Sequence, residues 1–348
     1  MARPLRINRL GAWHHVSARG TERKEIFRED RDRRHWLELL PEFVHTYRLR
    51  LHAYVMMENH YHLLVESKEG NLSQAMQWLQ TSYSMWFNRK YGRVGPLFQG
   101  RFKSVLVEPS GWGLALSRYV HLNPVRIKTL GLDKGARAAD RLGARGEADG
   151  RMVRERLKKL REFPWSSYRA YAGKEKAPDW LSTEPVLELG GKGTLREQRE
   201  SYRKYVEEAV REGLAETPWE QLVGRAVLGS REFLTQVQNV VRGDGRENPQ
   251  LRELENRPEW LQVAGAVASV RGVGWEELQR RRGDWGRDLG WYFGRKECGL
   301  TLKELGKASG GADYAAVSAA VKRIERRLVE DGALAQKARQ IKRRIAYF

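Results

Sequence analysis

Met57-Glu58-Asn59-His60-Tyr61-His62-Leu63-Leu64-Val65-Glu66 is the stretch that decides how this chain reads. It begins at the end of Leu51–Met57, a strand-like run. Glu58-Asn59 is a turn-prone break, and residues 60–66 resume the strand pattern. Side chains alternate along a strand, so His60 and His62 share one face. Tyr61 points to the other face, where a large side chain packs beneath helices. The two imidazoles then stand roughly 6–7 Å apart at their Cα atoms, close enough to share one metal ion. A bare His-x-His pair is equally an ordinary polar pair on a solvated strand, so the pattern needs support from elsewhere in the chain.

The flanking segments supply a fold. Upstream, Trp13–Ala18 reads as a strand, and Asp30 caps a helix through about Tyr47 with Trp36, Leu40, Phe43 and Val44 at helical spacing. Downstream, Asn71 opens a helix through about Tyr91. Residues 101–107 form a fourth strand, and residues 111–122 a third helix. The order βαββαβ is the split βαβ, or ferredoxin-like, pattern, here expected as a four-stranded sheet with two helices on one face. The other face is left to the third helix. The fold class is therefore α+β.

Composition sets the chemical class. The chain has 348 residues, with 64 Lys+Arg against 44 Asp+Glu, a formal net charge of +20. Such an excess favours a polyanionic partner, most commonly nucleic acid. The single cysteine, Cys298, excludes an internal disulfide framework and a multi-cysteine zinc site. No apolar run approaches the ~18 residues of a membrane span, and residues 1–8 lack a signal peptide's apolar stretch. A cytoplasmic, nucleoid-associated protein without a membrane partner is expected. All eight histidines (14, 15, 35, 45, 52, 60, 62 and 121) fall in the first 121 residues, so any proton-transfer or metal chemistry is expected there.

Within the third helix, Arg118-Tyr119-Val120-His121-Leu122-Asn123-Pro124 places Tyr119 and Asn123 four residues apart on one helical face. Pro124 disfavours helix at the preceding residue, which puts Asn123 at the helix end. Alone, Asn123 reads as a cap and Tyr119 as a packing aromatic. Together with the histidines they make a chemical set. A cation held by His60, His62 and Asn123 could polarise a phosphodiester, and Tyr119 could attack phosphorus to form a covalent intermediate. A phenol titrates near pH 10, so the attack needs help in removing the proton.

Residues 9–130 resemble the single-tyrosine HUH transposases. The likeness rests on His15-Val16-Ser17-Ala18-Arg19-Gly20, on residues 57–66, on Phe98-Gln99-Gly100-Arg101-Phe102-Lys103-Ser104, and on residues 118–126. Within that group the chain is most similar to the REP-associated tyrosine transposases, which act on single-stranded hairpin DNA. The resemblance implies that Tyr119 cleaves single-stranded DNA, leaving a 5′-phosphotyrosine link and a free 3′-OH. It also implies Mg²⁺ or Mn²⁺, with Asn123 where relatives carry a Gln or Asn ligand. Glu58 stands where the pattern usually has Pro, which alters the turn but removes no ligand. Arg19, Arg101, Lys103 and Arg126 are expected phosphate contacts, with Arg23, Lys24, Arg89, Lys90 and Arg93 further basic candidates and Trp86 or Phe98 available to stack on bases. Each of these is equally an ordinary surface or core residue.

The rest of the chain reads in four parts. After an HUH domain at 1–132, residues 133–158 lack apolar periodicity and suggest an exposed basic insertion. Residues 159–242 form a helical extension, in which residues 163–171 and 224–233 resemble the extension of the same transposase group. Residues 243–257 read as a linker, and 258–348 as a small helical domain. In that domain Thr301-Leu302-Lys303-Glu304 is a capping box. Gly310-Gly311 makes a turn and Asp313 caps a second helix, a helix-turn-helix signature. Residues 285–330 resemble the DNA-binding domain of the replication initiator DnaA. Asp313, Tyr314, Ala315, Lys322 and Arg323 are thereby expected to contact duplex DNA. Tyr314 and Ala315 replace the His and Thr typical of that family, so base preference should differ.

The sequence thus points to a metal-dependent DNA strand transferase with two DNA-binding parts. The alternatives are a non-catalytic DNA-binding regulator working through its tail, and a metal phosphodiesterase using water, which would leave no covalent adduct. The long extension favours a monomer.

Overall fold

The computed structural model describes residues 7, 9–133, 135–136, 149–212, 217–223, 226–240, 258–300 and 302–346. The first part follows the expected order: β1 (Ala12–Arg19), α1 (Asp30–Thr46), β2 (Leu49–Met57), β3 (His60–Ser67), α2 (Leu72–Lys90), β4 (Lys103–Val107) and α3 (Leu114–His121). The sheet order is β2-β3-β1-β4-β5, and β1 pairs antiparallel with both β3 and β4. The first four strands thus have the ferredoxin-like order.

Two details of that order differ from expectation. A fifth strand, β5 (Val227–Leu228), pairs parallel with β4 at the edge of the sheet. A segment this short carries no alternation that a sequence pattern could reveal. The third helix starts at Leu114 rather than Gly111, because Pro109–Gly113 forms one wide π-type turn before it.

Local chemistry explains the helix ends. Glu29 caps α1 in a box with Asp32, whose carboxylate takes the backbone N–H of Glu29 at 3.1 Å. Asp32 is buried, and Lys90 Nζ and the Tyr91 hydroxyl at the end of α2 donate to it, at 2.5 Å and 2.9 Å. This network ties the start of one helix to the end of the other.

Strand alternation divides the core. On one face, Val16, Tyr61, Leu63 and Val65 pack with Trp36, Leu40 and Phe43 of α1 and with Met76, Leu79, Tyr83 and Phe87 of α2. On the other, Trp13, Val55, Leu64, Val105 and Val107 meet Leu116 and Val120 of α3. That second face is closed by later elements: α4 (Gly150–Glu162), α5 (Tyr168–Tyr171), α6 (Glu184–Leu189) and α7 (Leu195–Glu212), followed after β5 by α8 (Arg231–Val240). Leu157, Leu160, Tyr168, Val186 and Val206 join the same core as α3.

The expected exposed insertion at 133–158 is therefore too long at its C-terminal end. Residues 150–158 belong to α4, and Arg156 there is buried, donating from Nε to the Leu130 carbonyl at 2.8 Å. The abundance of Arg and Lys on this helix hides its narrow apolar stripe. Most of the remaining insertion, the linker at 243–257, Gly224-Arg225 and Thr301 lie outside the described residues.

Residues 260–345 have a core of their own, built by α9 (Trp260–Arg271), α10 (Trp275–Leu278), α11 (Trp285–Lys296), α12 (Leu302–Ala308), α13 (Tyr314–Glu330) and α14 (Gly332–Ala346). Cys298 is buried within it. Between α12 and α13, Gly310 (φ +77°) and Gly311 (φ +85°) take left-handed conformations that side-chain-bearing residues rarely adopt. No helix among the described residues is long and apolar enough to cross a membrane.

Candidate active site

His60 and His62 occupy the start of β3, one strand away from His15 on β1. The β1–β3 register sets Arg19 opposite His60 and Ser17 opposite His62. Parity therefore brings His15 to the same sheet face as the His60–His62 pair. Its Nε2 lies 2.9 Å from His62 Nδ1, with the rings stacked at 5.0 Å. His60 donates from Nδ1 to Asn59 Oδ1 at 2.7 Å, and Asn59 is itself held through Nδ2 to the Arg23 carbonyl. Tyr61 points the other way as expected, fully buried against Trp36.

Helix α3 crosses this face and delivers Tyr119 to the histidines. Its ring meets His62 edge-on at 5.6 Å and His15 at 5.9 Å, while His60 and His62 are themselves 5.2 Å apart. Asn123 stands just past the helix end, where Nδ2 donates to the carbonyls of Tyr119 (2.9 Å) and Val120 (3.2 Å). Its amide thus caps the helix, and Oδ1 remains its acceptor. Arg126 lies over the Tyr119 ring, its guanidinium carbon 4.3 Å from the centroid.

Burial keeps these imidazoles neutral. It lowers His60 to about 4, with the charge of Arg19 adding to the effect. His15 falls to about 3 from burial, and His62 falls well below the ordinary range through burial, then His15, His60 and the nearby arginines. Neutral imidazole is the form that binds a metal ion. With the His60 Nδ1 proton donated to Asn59, its Nε2 keeps a lone pair, and the contact to His15 occupies Nδ1 of His62. Among the described residues no cluster of three or more His, Cys, Asp or Glu could hold a metal ion. A cation here would rest on two imidazole nitrogens and an amide oxygen.

The remaining candidates divide. Arg19, Arg101 and Lys103 are exposed, with Lys103 opposite Ser17 at the same end of the sheet. Lys90 is committed to Asp32 and Glu29, and Phe98 is buried beneath α1 and α2, so neither offers the free surface the sequence suggested. Trp86 stacks on His35 at 4.1 Å. In the tail, Asp313 caps α13 by accepting from Ala315 N at 3.0 Å, and Tyr314, Ala315 and Lys322 are exposed. Arg323, expected as a DNA contact, has a structural partner within the fold. It donates to the buried Asp288 of α11 through Nε (2.9 Å) and Nη2 (2.5 Å). A buried carboxylate needs a cation, which orients this partly exposed guanidinium. Tyr314 lines a groove of about 500 Å³ shared with Glu108, Trp112, Arg118 and Thr217.

Two residues at the site were not singled out from sequence. His15 had a signal, since its register partner strand carries the histidine pair. Trp219, which touches both His15 and Tyr119, had none.

No curated protein sequence matches the chain. One solved structure, described as "Structure of the REP associates tyrosine transposase bound to a REP hairpin", aligns with 52% of this chain and 92% of that one, at 14% identity and a TM-score of 0.36. The family model "Transposase IS200 like" matches residues 10–123, the span that holds both histidines, Tyr119 and Asn123. Over residues 10–123 the chain is thus similar to the IS200-like transposase family.

Proposed function

We propose that the chain is a transposase that cuts and rejoins single-stranded DNA through Tyr119. The observation that carries this is the seating of the Tyr119 ring against His62 and His15, inside an IS200-like domain. The Tyr119 Oη attacks phosphorus and loses its proton, and the bond to the 3′ oxygen breaks. That oxygen takes a proton to become a free 3′-OH, while the phosphate keeps its ester to the 5′ oxygen and is now joined to Tyr119. Rejoining reverses these steps with a new 3′-OH as nucleophile.

His60 and His62 would hold Mg²⁺ or Mn²⁺, with Asn123 Oδ1 as third ligand. The neutral, oriented imidazoles support this assignment. When bound, such an ion neutralises charge developing on the phosphoryl oxygens. Arg126 sits over the Tyr119 ring, where it can meet the scissile phosphate, and Arg19, Arg101 and Lys103 carry the flanking strand. Hairpin DNA is the proposed substrate class on the strength of the sequence blocks around His15, His60 and Tyr119. The tail is proposed to hold duplex DNA through Lys322 and the start of α13.

Incubation with Mn²⁺ and a labelled single-stranded DNA hairpin, followed by a denaturing gel, tests the reading. A covalent protein–DNA adduct that disappears in Tyr119→Phe supports it. Cleavage that survives Tyr119→Phe points instead to water as nucleophile. Duplex binding without any adduct leaves the regulator reading.

A further inference from the structure

Trp219 lies 100 residues beyond Tyr119 and outside the IS200-like segment, in the single 3-10 turn Pro218–Gln221. The end of the sheet fixes this turn. Val223 N donates to the Val227 carbonyl at 2.8 Å, and Leu106 N of β4 donates to the Ala226 carbonyl at 2.7 Å. Strand β5 therefore anchors the turn beside the site.

The half-buried indole touches the reacting group itself. Its ring lies 4.9 Å from the Tyr119 ring at 86° and 4.7 Å from the His15 ring. Arg126 lies over the same phenol. Tyr119 thus has His62 and His15 at its edge, a guanidinium over its ring and an indole against it. A phenol turns about two side-chain torsions, and a small rotation at Cβ moves its oxygen by more than 1 Å. Errors of that size in a reacting atom can cost about 100-fold in rate.

We infer that Trp219 is a positioning residue: it holds the Tyr119 phenol, together with His15, in the orientation needed for attack. This rests on the reading of Tyr119 as nucleophile. The extension is then part of the active site, and a chain cut back to residues 10–123 lacks one wall of it.

The test uses the full-length chain, Mn²⁺ and a labelled DNA hairpin with single-stranded flanks. It measures hairpin affinity and the single-turnover rate of adduct formation separately. Trp219→Ala is expected to slow adduct formation about 10-fold or more with hairpin affinity unchanged, and Trp219→Phe to stay within about 3-fold of the parent. If the alanine variant unfolds at the assay temperature, Trp219→Leu is measured in its place, with the alanine outcome expected. A rate in the smaller variant equal to or above the parent's overturns the inference, since the indole would then be neutral or an obstruction. A loss that tracks weaker hairpin binding, with Phe as impaired as Ala, overturns it as well. If the parent chain forms no adduct, the nucleophile reading itself fails and takes this inference with it. A normal parent adduct with an unaffected Trp219→Ala rate removes only the role of Trp219.

Discussion

His121 Nδ1 lies 2.7 Å from the hydroxyl of Tyr202, and this buried contact joins α3, the helix that carries Tyr119, to the extension. The protons can be traced. Tyr202 donates onward to Ser117 Oγ at 2.8 Å, and Ser117 donates to the Leu114 carbonyl, also at 2.8 Å. The Tyr202 oxygen therefore accepts from His121 Nδ1, and His121 Nε2 is left to accept from Ser167 Oγ at 2.8 Å. Every polar atom of the imidazole is used, two residues from Tyr119.

Tyr202→Phe removes one acceptor and one donor from this chain and leaves His121 Nδ1–H buried without a partner. The expected cost is about 1–3 kcal/mol of stability. Denaturant unfolding should show the shift, and adduct formation by the variant that remains folded should change little. An unchanged midpoint would mean that water reaches this site.

Acid should destabilise the chain in the histidine range. Burial lowers His121 and His15 to about 3, and His14 and His60 to about 4, all from an ordinary value of 6.5. Below pH 6.5 the unfolded chain takes up protons at these positions and the folded chain does not, so folded stability falls as pH falls. The loss continues until the folded values are reached, at about 4 to 3. Each such histidine costs about 2 kcal/mol between pH 7 and pH 5. Thermal melts across that interval should fall steeply, and His121→Phe should flatten part of the slope if the ring is accommodated.

The parts of the site legible in sequence were the local ones. His60 and His62 followed from alternation along one strand, and Tyr119 and Asn123 from spacing along one helix. His15 reaches His62 only through strand pairing, which needs a register. Trp219 depends on a two-residue edge strand and a turn that no periodicity marks. In the same way Arg323 reads as a basic surface residue until α11 is packed beside it and buried Asp288 shows what it holds. Strand order was legible because alternating strand and helix patterns admit few connections. Helix α4 was hidden because its buried face includes an arginine.

Removing divalent metal should abolish adduct formation, and Mn²⁺ should restore it more effectively than Mg²⁺. The reason lies in the proposed donors: two imidazole nitrogens and an amide oxygen, without a carboxylate in the set. Mg²⁺ prefers hard oxygen ligands, while imidazole binds the later divalent ions more strongly. Titrating each ion into chelator-treated protein with a labelled hairpin gives the two activation curves. His60→Ala and His62→Ala should each raise the concentration of Mn²⁺ required. Full activity in chelator would end the metal assignment.

Lys322 and Arg323 are neighbours in sequence but should respond oppositely to mutation. Arg323 holds the fully buried Asp288 of α11, whose other oxygen accepts no hydrogen bond. Its removal leaves a buried carboxylate, which burial already makes harder to ionise, without its main cation. Arg323→Ala should cost on the order of 2 kcal/mol, a figure reduced because the arginine itself is 42% exposed. Lys322 is exposed on the same helix. Lys322→Ala should leave stability nearly unchanged, weaken duplex binding uniformly across sequences, and reduce the slope of log affinity against log salt by about 1. Unfolding and salt-titrated duplex binding of the two variants separate the roles. A salt slope untouched by Lys322→Ala would remove that lysine from the duplex-binding surface.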